Sequence, residues 1–180
     1  TGDDGLSPGL VLGQILTAAV IIRLSALFVT PGYVGVDIWT HAPVFIDGIA
    51  DTGSLAPLAE SKYSMAPLYH ATGAAGTLAL GSARVGTYLS VGLLVPLSAL
   101  FVYAAGSLVL PVRWALAVTA LYAFADQFIR WGLHIIPTSL GLVFFLGVLY
   151  ELTSLFITDD LRAGTLLVGF SLATAFTHQV

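Results

Sequence analysis

Two pairs of residues in this chain set a histidine four positions after an ionisable group: Asp37 with His41, and Arg130 with His134. Residues four apart share one face of a helix, so each pair would present its groups together. A positioned carboxylate such as Asp37 can take a proton from an attacking hydroxyl. An arginine fork beside a histidine suits the oxygens of a phosphate diester. Structural roles fit the same residues. Asp37 also reads as a helix N-cap, accepting the orphan N–H groups of a first turn. His41 reads as a packed or interfacial histidine rather than a metal ligand, since two ligands four apart make no site and no third stands nearby. Arg130 beside Trp131 also fits an interfacial anchor. Asp47 and Asp51 fit a solvated helix edge.

The elements that must position these groups belong to a membrane protein. Of the 180 residues, 57% are apolar and 9% charged, and the mean hydropathy is +0.95. A soluble domain carries about 25% charged residues. A net charge of −4 and the absence of a basic run argue against nucleic acid as a partner. With no cysteine, neither a disulfide framework nor a thiolate metal site is available. A membrane span needs about 20 mostly apolar residues. The expected fold is an all-α integral membrane bundle of about five spans, at 10–29, 85–110, 114–129, 138–157 and 164–180. Arg23 and Glu151 are intramembrane charges, Arg23 expected to snorkel outward and Glu151 to pair structurally. The chain opens on Thr1 and stops at Val180 inside an apolar run, which reads as the N-terminal part of a longer protein.

Residues 30–84 form a long first loop that carries Asp37, Asp47, Asp51 and Glu60. An amphipathic helix is expected over 37–52, broken or kinked around Pro43. A second is expected over 66–80. At 1.5 Å per residue that stretch reaches only about 22 Å, too short to cross comfortably, so it is expected to lie in the interface. Excluding it as a span places 30–84 and 126–137 on one side, with His178 toward the same face. Lys62, Arg84 and Arg130 then stand against Arg113 and Arg162 on the other side, so the positive-inside rule gives no clear vote.

The order of these features resembles the GT-C superfamily of membrane glycosyltransferases, which includes protein O-mannosyltransferases, lipid A aminoarabinose transferases and oligosaccharyltransferase catalytic subunits. Gly35-Val36-Asp37 resembles the family's acidic motif after the first span. The stretch from Ile46 to Pro57 is similar to the segment that ends in a Gly turn and a Pro. Met65-Ala66-Pro67-Leu68-Tyr69-His70 resembles a Lys-Pro-Pro-Leu-Tyr motif that has lost its lysine and first proline. Gly81-Ser82-Ala83-Arg84 resembles the Gly and Arg that lead into the second span. The run from Phe128 to Pro137 resembles the arginine-to-proline segment before the fourth. Two departures stand out. Asp37 is followed by Ile38 where many relatives have a second acid, and Thr138 or Ser139 replaces an acid after the later proline.

The resemblance implies sugar transfer from a polyprenyl- or dolichyl-phosphate donor to a glycan, lipid or protein acceptor at the extracytoplasmic face of the plasma membrane. It implies Asp37 as catalytic base or metal-binding group, the base being the role expected here, with Arg130, His134 and Lys62 as groups that bind the donor phosphate. His41, Glu60, His70 and His178 are candidates for lining the cavity. A divalent cation (Mg or Mn) belongs to the resemblance, but no complete metal-ligand set is legible in the sequence. Two other readings stay open: a transporter-like bundle in which Arg23, Glu151 and His178 mark a path, and a noncatalytic subunit that keeps the fold.

Overall fold

The computed structural model describes residues 7–158 and 161–177, all of whose regular elements are helical. The chain runs through α1 (Pro8–Val29), α2 (38–52), α3 (Leu68–Leu80), α4 (Ala83–Val109), α5 (Val112–Phe124), α6 (Asp126–His134), α7 (Pro137–Thr158) and α8 (Leu161–Thr177). α1, α4 and α7 are long and apolar enough to cross a membrane; α5 and α8 are shorter apolar helices. Only 22%, 33% and 28% of the most apolar windows of the three long helices are buried within the chain. Ile21, Phe28, Leu121 and Phe156 are each more than 60% exposed. Water would penalise that much bare apolar surface, whereas lipid tails do not. The fold is therefore that of a helical membrane protein.

The interruptions in the helices have local causes. Proline lacks the N–H that would bond the carbonyl four residues back. In α2 the ladder widens to a π-helical turn at His41–Ile46, which contains Pro43, and the helix resumes at Asp47–Thr52. Gly53, with φ +62°, ends it in the left-handed conformation. α4 has a similar wide turn at Tyr88–Gly92, one turn before Pro96. α3 ends at Gly81, also left-handed at φ +72°. It packs on α4 through a backbone approach so close that a Cβ on Gly86 would collide with the amide nitrogen of Thr77. Small residues allow such contacts between membrane helices.

One expected element divides. The stretch 114–129 is not a single helix: α5 ends at Phe124, Ala125 is extended (φ −64°, ψ 135°), and α6 begins at Asp126. The boundary falls where the sequence changes from apolar to Asp126-Gln127 and Arg130. α6 thus turns its polar face away from the apolar body.

Arg84 and Arg23 tie the bundle together. At the start of α4, the Arg84 Nε donates to the Gly32 carbonyl at 3.1 Å. Its Nη2 donates to the carbonyls of Ala26, Leu27 and Thr30 at 3.1, 2.9 and 2.6 Å. These carbonyls cluster at and just beyond the end of α1, where a cation also suits the negative end of the helix dipole. Arg23 corrects an expectation. It does not snorkel but is 1% exposed, and it donates to the carbonyls of Ala19 and Ala123 at 3.2 and 2.8 Å. Gly132 of α6 lies directly against its side chain, where a Cβ would come within 2.5 Å of Arg23 Cδ. Glu151 is also buried, on α7.

Candidate functional site

The end of α1, all of α2, the turn into α3, the start of α4, α6 and the start of α7 gather at one end of the bundle. A groove opens there, in three adjoining parts. A cavity of about 220 Å³ is lined by Asp37, His41, Lys62, Tyr63, Ile136, Pro137 and Thr138. A second, of about 190 Å³, is lined by Gly35, Val36, Asp37, Ile38, His134 and Ile136. The third, also about 190 Å³, is lined by Gln127, Arg130, Trp131, His134 and Ile136. Ile136 borders all three, Asp37 the first two and His134 the last two. The groove thus carries Asp37, His41, Lys62, His134 and Arg130 along one line.

Local conformations hold the walls. Gly35 has φ +98°, a value L side chains rarely adopt, and a Cβ there would lie 3.0 Å from the His134 ring. Glycine is required on both counts, and it seats His134 against the segment that presents Asp37. Opposite, Ile135 has φ +42°, the one non-glycine positive φ among the described residues. A β-branched residue is strained there. The strain is held by its neighbours: the Tyr69 hydroxyl donates to the Ile135 carbonyl at 2.5 Å. Ser139 Oγ donates to the Trp131 carbonyl at 2.6 Å and accepts from the Ile136 N–H at 3.1 Å. Ser139 and Tyr69 thereby fix the turn from α6 to α7.

Asp37 does not use its carboxylate to cap α2, since it makes no side-chain capping hydrogen bond, and it is exposed at the groove. Capping is unnecessary because a preceding turn already engages the first amides: the Trp39 N–H donates to the Val36 carbonyl at 3.2 Å. Lys62 places its ammonium 5.1 Å from the centre of the Tyr63 ring. Arg130 is exposed and 3.7 Å from Asp126 across one helical turn. Such an exposed pair is weak and exchangeable for a better anion.

Two buried histidines meet at the groove wall, His41 in the lining and His70 behind it. His41 Nδ1 and His70 Nε2 are 2.9 Å apart, and the residues are 3% and 0% exposed. Tyr63, Tyr69 and Phe45 pack around them with ring centres 4.7 to 6.2 Å from His41. Burial pushes His41 down to about 4, against the opposing pull of Asp37 and with a smaller push from Lys62. Burial, with His41 adding to it, pushes His70 down to about 3. Tyr33, at the turn between α1 and α2, is raised to about 12, first by burial and then by Asp47.

The expected site residues therefore divide. Asp37, His41, Lys62, Arg130 and His134 come together. His70, expected to line the cavity, lies behind His41 instead, because α3 docks its first turn against α2. Glu60 is exposed and lines none of the three cavities. His178 lies outside the described residues. Tyr63, Gly35 and Ile136 enter the site without having been singled out as site residues. Among the described residues no three His, Cys, Asp or Glu side chains come together to hold a metal ion. Among the described residues Asp37 is the only carboxylate lining the groove, and this donor set does not fit a divalent cation.

An apolar cleft of about 350 Å³ adjoins the groove, lined by Gln127, Phe128, Trp131, Thr138, Gly141, Leu142, Phe145, Thr174 and Ala175. Gln127 and Trp131 are shared with the Arg130 cavity, and Thr138 with the Asp37 cavity. The class defined by fold and composition is a helical membrane protein with a polar groove at one end. No family model, curated protein or solved structure matches the chain.

Proposed function

We propose that this bundle carries the catalytic end of a membrane glycosyltransferase. It moves a sugar from a polyprenyl- or dolichyl-phosphate donor to a protein, lipid or glycan acceptor at the extracytoplasmic face of the plasma membrane. The observation that carries this reading is the continuity of the apolar cleft with a groove holding one carboxylate and several cationic or N–H-bearing side chains. An isoprenoid tail suits the cleft between α6, α7 and α8. Its phosphate then reaches Arg130, His134 and Lys62, and the sugar faces Asp37.

In the reaction, Asp37 takes the proton of the acceptor nucleophile as its lone pair forms a bond to the anomeric carbon. The bond from that carbon to the phosphate oxygen breaks, and its electron pair leaves with the lipid phosphate. Arg130 and Lys62 stabilise the charge that develops there. No step runs through a metal ion. In this reading five helices cross the bilayer. α5 and α8, about 20 and 26 Å long, are accommodated by local thinning. A transporter would call for a mobile intramembrane charge, whereas Arg23 is tied to two backbone carbonyls.

The test is transfer of labelled sugar from a polyprenyl-phosphate donor in proteoliposomes, comparing wild type with Asp37→Asn. The expected loss is about 100-fold or more. Undiminished transfer by the variant removes Asp37 from the reaction. A wild-type protein that binds the donor and transfers nothing is a noncatalytic subunit.

A further inference from the structure

The buried histidine pair has one feature that decides its chemistry. His70 Nδ1 is buried with no hydrogen-bond partner, while His70 Nε2 faces His41 Nδ1 at 2.9 Å. A neutral imidazole carries one proton, on one nitrogen or the other. Were it on His70 Nδ1, an N–H would be buried with no acceptor, an arrangement that folded proteins rarely tolerate. A bare lone pair at that position costs less. The proton therefore belongs on His70 Nε2, from which it is donated to His41 Nδ1. His41 Nδ1 must then be the unprotonated nitrogen, and the proton of the His41 ring resides on Nε2. His41 lines the cavity with Asp37 and Lys62, and its Nδ1 is occupied by His70, so Nε2 is the nitrogen available to that cavity.

We propose that His70 is a positioning residue that locks His41 as a neutral Nε2–H donor, and that this donor binds a phosphoryl oxygen entering the cavity beside Lys62. The assignment rests on the phosphate-binding role proposed above for the groove. The surroundings support it. The rings of Tyr63, Tyr69 and Phe45 hold both imidazoles in place. Burial pushes both groups far below neutrality, so the pair does not charge over the working pH range. A neutral donor beside the exposed lysine adds a directed hydrogen bond without a buried charge, whose desolvation would be costly.

The test is long-range proton–nitrogen correlation on the full chain with labelled histidine in nanodiscs. Wild-type His41 is expected as the Nε2–H tautomer. Its Nε2–H signal is expected to move downfield on adding a short-chain polyprenyl phosphate, and less on adding inorganic phosphate. His70→Gln keeps a donor near the Nε2 position and is expected to preserve both the tautomer and the affinity. His70→Phe removes the donor, releases the tautomer to a mixture and weakens polyprenyl-phosphate binding about tenfold. An Nδ1–H tautomer for His41 in the wild type overturns the proposal, and that measurement needs no variant to fold. An unshifted His41 signal with bound polyprenyl phosphate overturns the donor role. Equal shifts with inorganic phosphate at equal occupancy assign recognition to the phosphoryl group alone, in support of the proposal. Loss of sugar transfer as a function, with these signals intact, leaves the histidine assignment standing and removes only the catalytic reading.

Discussion

The polar groups at this end of the bundle fall into two regions that look alike in sequence and differ in structure. In the packed region, Arg84 gives its N–H groups to four carbonyls around the end of α1, and His70 is enclosed by aromatic rings behind His41, which borders both regions. In the open region, Asp37, Lys62 and Arg130 are exposed along a groove. Both regions contain an arginine, Arg84 at the start of α4 and Arg130 on α6. The difference teaches that a cation matched by backbone acceptors serves the fold, whereas one left at a cavity wall is available to a ligand. Perturbing the packed region should therefore cost stability, and perturbing the open region should cost binding.

Acid gives the largest expected effect. The folded values of His41 and His70, about 4 and about 3, lie below the usual 6.5. Between those limits the unfolded chain binds more protons than the folded one, so stability rises with pH. The contribution is fully present above about pH 6.5, and it is lost as pH falls toward 4 and then 3. At pH 5 the loss from the pair is on the order of 3 to 4 kcal/mol. Unfolding of the protein in bicelles, followed against pH, measures it. A His41→Phe/His70→Phe double variant should flatten the profile in that window. An unchanged profile would mean that burial does not hold the pair neutral.

Arg84→Ala comes next. The substitution leaves the Ala26, Leu27, Thr30 and Gly32 carbonyls without their guanidinium partner, at an expected cost of about 3 kcal/mol in the same unfolding assay. Arg84→Lys should recover only part of it. A single ammonium cannot reproduce the planar fork that reaches Gly32 from Nε and α1 from Nη2. Donor affinity at the groove should change little in protein that remains folded. If affinity falls as far as stability, the two regions are not separable.

Much of this division was visible in the sequence, and the remainder was hidden for physical reasons. Helix positions followed from apolar runs bounded by Pro and Gly, and Pro43 announced the irregular turn in α2. Asp37 with His41, and Arg130 with His134, were brought together by helical spacing, which is a local property. The break at Ala125 was missed because an alanine carries no stop signal, and Phe128 and Ile129 resume the apolar pattern after Asp126-Gln127. Arg23 was misplaced because its partner is a carbonyl 100 residues away, and backbone acceptors leave no mark on composition. His70 could be paired with His41 only once α3 was docked on α2. The positive φ at Ile135 had no signal at all, since nothing in an Ile-Ile-Pro run indicates a left-handed residue.

The smallest stability effect, and the sharpest separation of the two regions, is expected from Arg130→Ala. Its ion pair with Asp126 is exposed on both sides and 3.7 Å long. Pairs of this kind contribute roughly 0 to 1 kcal/mol, with helical i,i+4 pairs near 0.3 to 0.5. Unfolding should therefore shift by no more than about 0.5 kcal/mol. The groove, however, loses the Arg130 guanidinium from its lining, and affinity for a short-chain polyprenyl phosphate should fall about tenfold. Arg130→Lys should retain the charge but not the two-point contact, and should fall between the two. Calorimetric titration alongside bicelle unfolding separates the quantities. A variant that loses stability as Arg84→Ala does, with donor affinity intact, would assign Arg130 to the fold and leave the phosphate to Lys62 and His41.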